Sequence, residues 1–138
     1  MPDDSQLPAI LIVDDSPTVR AIIHRALGKL GSISFEESPD GLDAIRRLSQ
    51  KKFALAVLDI NMPLLDGLKV LAHARTSELN AKVPVIMVTT EGGSAEQQKA
   101  LELGATAYLT KPIDNALLVE TARLLLKKDG RHPKQESL

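Results

Sequence analysis

Short, almost purely apolar runs alternate strictly with longer stretches of helical periodicity, and this alternation constrains the chain more than any other feature. Ala9-Ile10-Leu11-Ile12-Val13, Ala54-Leu55-Ala56-Val57-Leu58 and Val85-Ile86-Met87-Val88 are nearly continuous in hydrophobicity, as strands covered on both faces of a parallel sheet are. Ile33-Ser34-Phe35-Glu36 and Ala105-Thr106-Ala107-Tyr108-Leu109 carry polar residues and suit the sheet edges. Between them lie helices. Ser16 caps the first and Pro17 opens it, with apolar residues at Val19, Ile22, Ile23, Ala26, Leu27 and Leu30 before Gly31 stops it. Asp40-Gly41 opens a second helix to about Ser49, and Asp66-Gly67 a third to about Thr76. Ser94 is expected to cap a fourth ending near Gly104, and Asp114 a fifth through about Lys128.

Strands and helices in such alternation build right-handed βαβ units. The expected fold is α/β: a doubly wound, five-stranded parallel sheet of flavodoxin-like order 2-1-3-4-5. A length of 138 residues fits one domain. A flexible N-terminus at 1–7, a folded unit at 8–128 and a disordered polar tail at 129–138 are expected.

Composition removes whole classes of chemistry. Cys is absent, so disulfides, thiolate metal sites and cysteine nucleophiles are excluded. Asp plus Glu number 18 and Lys plus Arg 17, without the basic excess of a nucleic-acid footprint. The first residues, Met1 to Gln6, are acidic where a signal peptide is basic, and no apolar run approaches membrane-spanning length. A soluble, cytoplasmic protein is the expectation, with neither membrane nor nucleic acid as partner.

Ligands of an open parallel sheet bind beyond the carboxyl ends of its strands. There strand one delivers Asp14-Asp15, strand three Asp59 followed by Ile60-Asn61-Met62-Pro63, strand four Thr89, and strand five leads to Lys111-Pro112. Carboxylates crowded together resist joint ionisation unless a cation joins them. Mg²⁺ suits the set, because it takes one or two carboxylates, keeps waters and accepts phosphate oxygens. Phosphoryl transfer needs charge around the equatorial oxygens. Lys111 and the Thr89 hydroxyl supply it alongside the metal, leaving Asp59 as the nucleophile that forms an acyl phosphate. Taken singly, each residue has an ordinary reading as a helix-dipole partner, loop acid, strand-end hydroxyl or surface lysine. Four strand ends in agreement outweigh those.

The stretches LIVDDSPTVR from Leu11, LDINMPLLDG from Leu58, VPVIMVTTE from Val83 and GATAYLTKPI from Gly104 resemble the receiver domain of bacterial two-component response regulators, in particular stand-alone CheY-like ones. The resemblance runs from about Pro8 to Lys128. It implies Asp59 as the phosphorylation site. Asp15, Asp59 and the Asn61 carbonyl would hold Mg²⁺, with Asp14 acting through water. Thr89 and Lys111 would contact phosphoryl oxygens, Lys111-Pro112 would be cis, and Tyr108 would be the aromatic that turns inward as Thr89 moves. Thr90 stands where the family often has a smaller residue, and Asn61 and Glu91 fall where it tunes the lifetime of the phosphorylated state.

A single-domain response regulator is thus expected, phosphorylated by a sensor histidine kinase in chemotaxis or other two-component signalling. It would promote only its own phosphorylation and dephosphorylation, remain a monomer when unphosphorylated, and act through a protein target. The fourth helix (Ala95 to Leu103) is poor in apolar residues and free to shift. The fifth, with Leu117, Leu118, Thr121, Ala122 and Leu125 on one side and Val119, Leu124 and Leu126 widening the arc, reads either as core or as a docking face with the fourth helix and fifth strand. The alternatives are a phosphorelay intermediate, a phosphorylation-independent binding module, or a phosphohydrolase of the haloacid dehalogenase type. The last places its nucleophile in a DxD pattern on strand one, which is not the pattern here. The histidines His24, His73 and His132 have no ligand-spaced neighbours, so zinc is not expected.

Overall fold

The computed structural model describes residues 7–90 and 93–128. The expected termini, apart from Leu7, and Glu91 lie outside them. In chain order the elements are β1 (Ala9–Val13), α1 (Pro17–Leu27) with a 3₁₀ turn at Gly28–Leu30, β2 (Ser34–Ser38), α2 (Gly41–Gln50), β3 (Leu55–Asp59), α3 (Gly67–Thr76), β4 (Val85–Thr89), α4 (Ser94–Glu102), β5 (Ala107–Thr110) and α5 (Asn115–Lys128). Five parallel strands pair in the order β2-β1-β3-β4-β5, as the alternation implies.

β1, β3 and β4 are buried at every position, which accounts for their uninterrupted apolar sequences. Their alternating side chains feed two cores. Leu11, Leu58 and Met87 face α2 and α3 through Leu48 and Leu71. Ile10, Val57 and Ile86 face α1 and α5 through Leu27 and Leu118. Each fully buried aliphatic side chain contributes on the order of 1.5–3 kcal/mol, so the central strands anchor the fold.

The helix starts are fixed by short side-chain acceptors. Ser16, Asp40, Asp66 and Asp114 accept from the amides of Val19, Asp43, Lys69 and Leu117. The fourth helix departs from expectation. Gly93, not Ser94, is its N-cap, because the Gly93 carbonyl already accepts from Gln97 N at 3.1 Å. Ser94 is therefore the first helical residue.

The edge strands also start and end later than expected. β2 reaches Ser38 because the acids within it are partnered: Arg47 and Lys51 meet Glu36, and Arg20 meets Glu37. His24 bonds Glu37 and lies 4.2 Å from the Phe35 ring. On α5, Leu118, Ala122, Leu125 and Leu126 are buried while Leu117 and Leu124 are about half exposed. The inner stripe is thus 118-122-125-126, and Leu117 lies off it, so the arc divides between a core side and an exposed side.

The third helix begins against the end of β3. A Cβ added at Gly67 would stand 2.2 Å from the Asp59 carbonyl oxygen and 2.9 Å from Ile60 Cα, while Gly67 N donates to Ile60 O at 3.1 Å. Only a residue without a side chain allows that approach. Gly67→Ala is expected to destabilise the protein by about 1–3 kcal/mol, read as a lower urea midpoint with an unchanged denaturant slope.

Candidate functional site

The sheet order reverses between β1 and β3, and the crevice beyond that point holds the acids. Asp14 and Asp15 follow β1, and Asp59 ends β3. One carboxylate oxygen from each lies within 4.8 Å of the others. Asp14 and Asp59 are 1% and 2% exposed, whereas Asp15 faces solvent.

Local bonds fix each group. Asp14 Oδ1 accepts from Ser16 N at 2.9 Å, and its backbone carbonyl accepts from Arg20 Nη1 at 2.6 Å. Asp59 Oδ1 accepts from Asn61 N at 3.1 Å. Lys111 follows β5, where its amide donates to Thr89 O at 2.8 Å. Its ammonium lies 3.0 Å from Asp14 Oδ2 and 3.6 Å from Asp59 Oδ1, and the peptide to Pro112 is cis as expected. Among the described residues, Lys111 is the cation that reaches these acids.

One ammonium does not balance three carboxylates. Burial, then the negative charge of Asp14, push the Asp59 carboxyl above its ordinary value, against the Asn61 amide and Lys111. Lys111 is pushed up in turn: burial opposes its charge, but the hydrogen bond and charge of Asp14, with Asp59, prevail. An oxygen-rich cluster with residual negative charge suits a hard divalent cation such as Mg²⁺.

Thr89 closes the far side. It is fully buried, and its hydroxyl lies 2.9 Å from Asn61 Oδ1 and 2.8 Å from Glu96 Oε1. Asn61 Oδ1 also accepts from Thr90 N and Thr90 Oγ1, at 2.9 and 3.0 Å. The Thr90 side chain is therefore drawn toward the loop after β3. Tyr108 on β5 donates to Glu96 Oε1 at 3.0 Å.

All the expected site residues, Asp14, Asp15, Asp59, Asn61, Thr89, Lys111 and Tyr108, thus lie in one connected region. Two neighbours were not legible from sequence. Arg20 ends the first matching stretch, one turn beyond the Ser16 cap, but nothing there shows that its guanidinium turns back to the Asp14 carbonyl. Glu96 sits in a helix's first turn, where acids are common for dipole reasons, so its inward bond to two strands had no pattern to betray it.

The response regulator receiver domain family matches residues 10–123. Chemotaxis protein CheY1 of Helicobacter pylori is 36% identical over 118 residues, covering 85% of this chain and 95% of its own. The structure of Vibrio cholerae chemotaxis protein CheY4 superposes with a TM-score of 0.80 at 28% identity, covering 86% of this chain and 98% of its own. The receiver domain of a sensor histidine kinase from Pseudomonas aeruginosa, with a TM-score of 0.75 at 28% identity and coverage of 89% and 98%, was solved with a magnesium ion in its active-site cleft.

A carboxyl whose folded pKa is raised stabilises fully only below its unfolded pKa, and that contribution is lost as pH rises through the folded value. Ionised Asp59 therefore costs stability at neutral pH. In chelator-treated buffer at pH 7, Asp59→Asn is expected to melt higher by about 1 kcal/mol, roughly 3–5 °C for this size. The gap should close as the buffer is taken below the ordinary carboxylate range, which melts recorded across pH will check. By sequence and by structure, the chain belongs to the response regulator receiver domain family.

Proposed function

We propose that this response regulator accepts a phosphoryl group on Asp59 in a Mg²⁺-dependent reaction, with a sensor histidine kinase or a small acyl phosphate as donor. The observation that carries this reading is the gathering of Asp14, Asp15 and Asp59 within 4.8 Å of one another, with Lys111 alongside. Asp14, Asp15, Asp59 and the Asn61 carbonyl are the groups that would hold Mg²⁺. Bound there, the ion would neutralise the cluster and offset charge on the transferring group.

Asp59 is the nucleophile. A carboxylate oxygen forms a bond to phosphorus as the bond to the donor's imidazole nitrogen or carboxylate oxygen breaks, and the leaving group departs with that electron pair. Lys111, already 3.6 Å from Asp59 Oδ1, pairs with the phosphoryl oxygens. Thr89 donates its hydroxyl to another. The chain acts on no separate substrate; it promotes its own phosphorylation and dephosphorylation, in the cytoplasm.

Rotation of Thr89 toward the phosphoryl group changes what surrounds Tyr108, and so changes the surface of α4, β5 and α5, where Leu117 and Leu124 stand exposed. A protein target that prefers one surface biases a two-state equilibrium. Chemotaxis or another two-component pathway is the setting.

Incubation with Mg²⁺ and acetyl phosphate is expected to add one phosphoryl group to the intact mass, absent in Asp59→Asn. Mg²⁺ alone should raise stability by about 1.4 kcal/mol per decade of concentration above its Kd. A wild-type mass that does not change, or an equal Mg²⁺ effect in Asp15→Ala, counts against the assignment.

A further inference from the structure

α4 has little apolar anchorage, since Ala100 is its one buried residue among those described. Its link to the sheet includes a polar one. Glu96 turns its carboxylate inward from the first turn, and Oε1 accepts from Thr89 Oγ1 at 2.8 Å and from the Tyr108 hydroxyl at 3.0 Å. The helix dipole favours an acid at this position but does not require it to bridge β4 and β5.

Thr89 has a single hydroxyl proton to give. Glu96 Oε1 and Asn61 Oδ1 both stand within reach, at 2.8 and 2.9 Å, and Asn61 Oδ1 is already served by Thr90 N and Oγ1. An ionised acceptor makes the stronger bond, so Glu96 holds the proton's direction in the resting state. A phosphoryl group on Asp59 is a more highly charged acceptor on the opposite side. It can take the Thr89 hydroxyl only by drawing it off Glu96.

We propose that Glu96 is a positioning residue that opposes activation: its carboxylate holds Thr89 and Tyr108 in the resting arrangement, competes with the phosphoryl group for Thr89, and passes the outcome to α4. The proposal rests on the reading of Asp59 as phosphoryl acceptor. Once Thr89 turns, Glu96 retains Tyr108 alone, and α4 is held to β4 by one bond fewer. Phosphorylation at one end of the crevice thereby loosens a specific helix rather than the domain as a whole.

Tyr108 is the single tyrosine of a chain without tryptophan, so its absorbance and fluorescence report on this cluster alone. Its ionisation is pushed up to about 12, by burial first and then by the hydrogen bond and charge of Glu96. In Glu96→Gln, absorbance titration is expected to move Tyr108 back toward its ordinary value. Phosphorylation by acetyl phosphate with Mg²⁺, followed by intact mass, is expected to run roughly three- to tenfold faster, the scale of exchanging one charge-assisted bond in the resting state for a neutral one. Glu96→Ala should show the same acceleration, and Glu96→Asp, which keeps a shorter carboxylate, should fall between. A phosphorylated wild type whose Gln and Ala variants are no faster sinks the Glu96 proposal alone, whatever the phenol does, because a merely structural acid would shift the titration but not the rate. A wild type that takes no phosphoryl group fails at Asp59 instead and removes both readings.

Discussion

Repulsion among Asp14, Asp15 and Asp59 is the constraint on which the rest of this structure turns. Three carboxylates within 4.8 Å of one another, two of them buried, are costly to keep ionised. The fold forces the encounter. β1 and β3 are neighbours at the point where strand order reverses, and the helices that follow them leave on opposite faces, α1 toward α5 and α3 toward α2. The crevice between them has no helix to fill it, so the residues that end both strands meet there. Lys111 relieves part of the strain from the far strand, and the residual negative charge suits the crevice to a hard divalent cation.

The proposed relay away from the crevice runs through hydroxyls rather than through backbone. Thr89 is fully buried at the end of a strand buried along its whole length, so β4 has no room to slide. A hydroxyl rotor in such a frame changes partners without moving the chain. Asn61 and Glu96 present alternative acceptors for it, which gives discrete arrangements in place of a graded one. The polar contact with α4 matters because that helix has so little apolar surface with which to resist.

Much of this was legible in the sequence because it is local or topological. Ser16, Asp40, Asp66 and Asp114 marked helix starts, since the acceptor that satisfies each first turn is within the same few residues. Burial on both faces wrote β1, β3 and β4 as apolar runs, and the ends of those runs located the acids and Thr89. Gly93 escaped because a glycine cap contributes backbone only, beside a serine that looked the better candidate. β2 and β5 were displaced because edge strands tolerate polar residues once distant side chains neutralise them, as Arg47 and Lys51 do for Glu36. The roles of Arg20 and Glu96 depend on how the first turns of α1 and α4 lie against the strand ends beside them, and no spacing encodes that.

The two sheet edges are unlike each other. An exposed strand edge is a template for pairing with another chain. Along β2, Glu36 and Glu37 are held in ion pairs with Arg47, Lys51 and Arg20, so an incoming strand would have to lie against fixed charge. That border disfavours pairing with an added strand. The opposite edge strand, β5, has no charged residue of its own, and the helix beside it is lightly held.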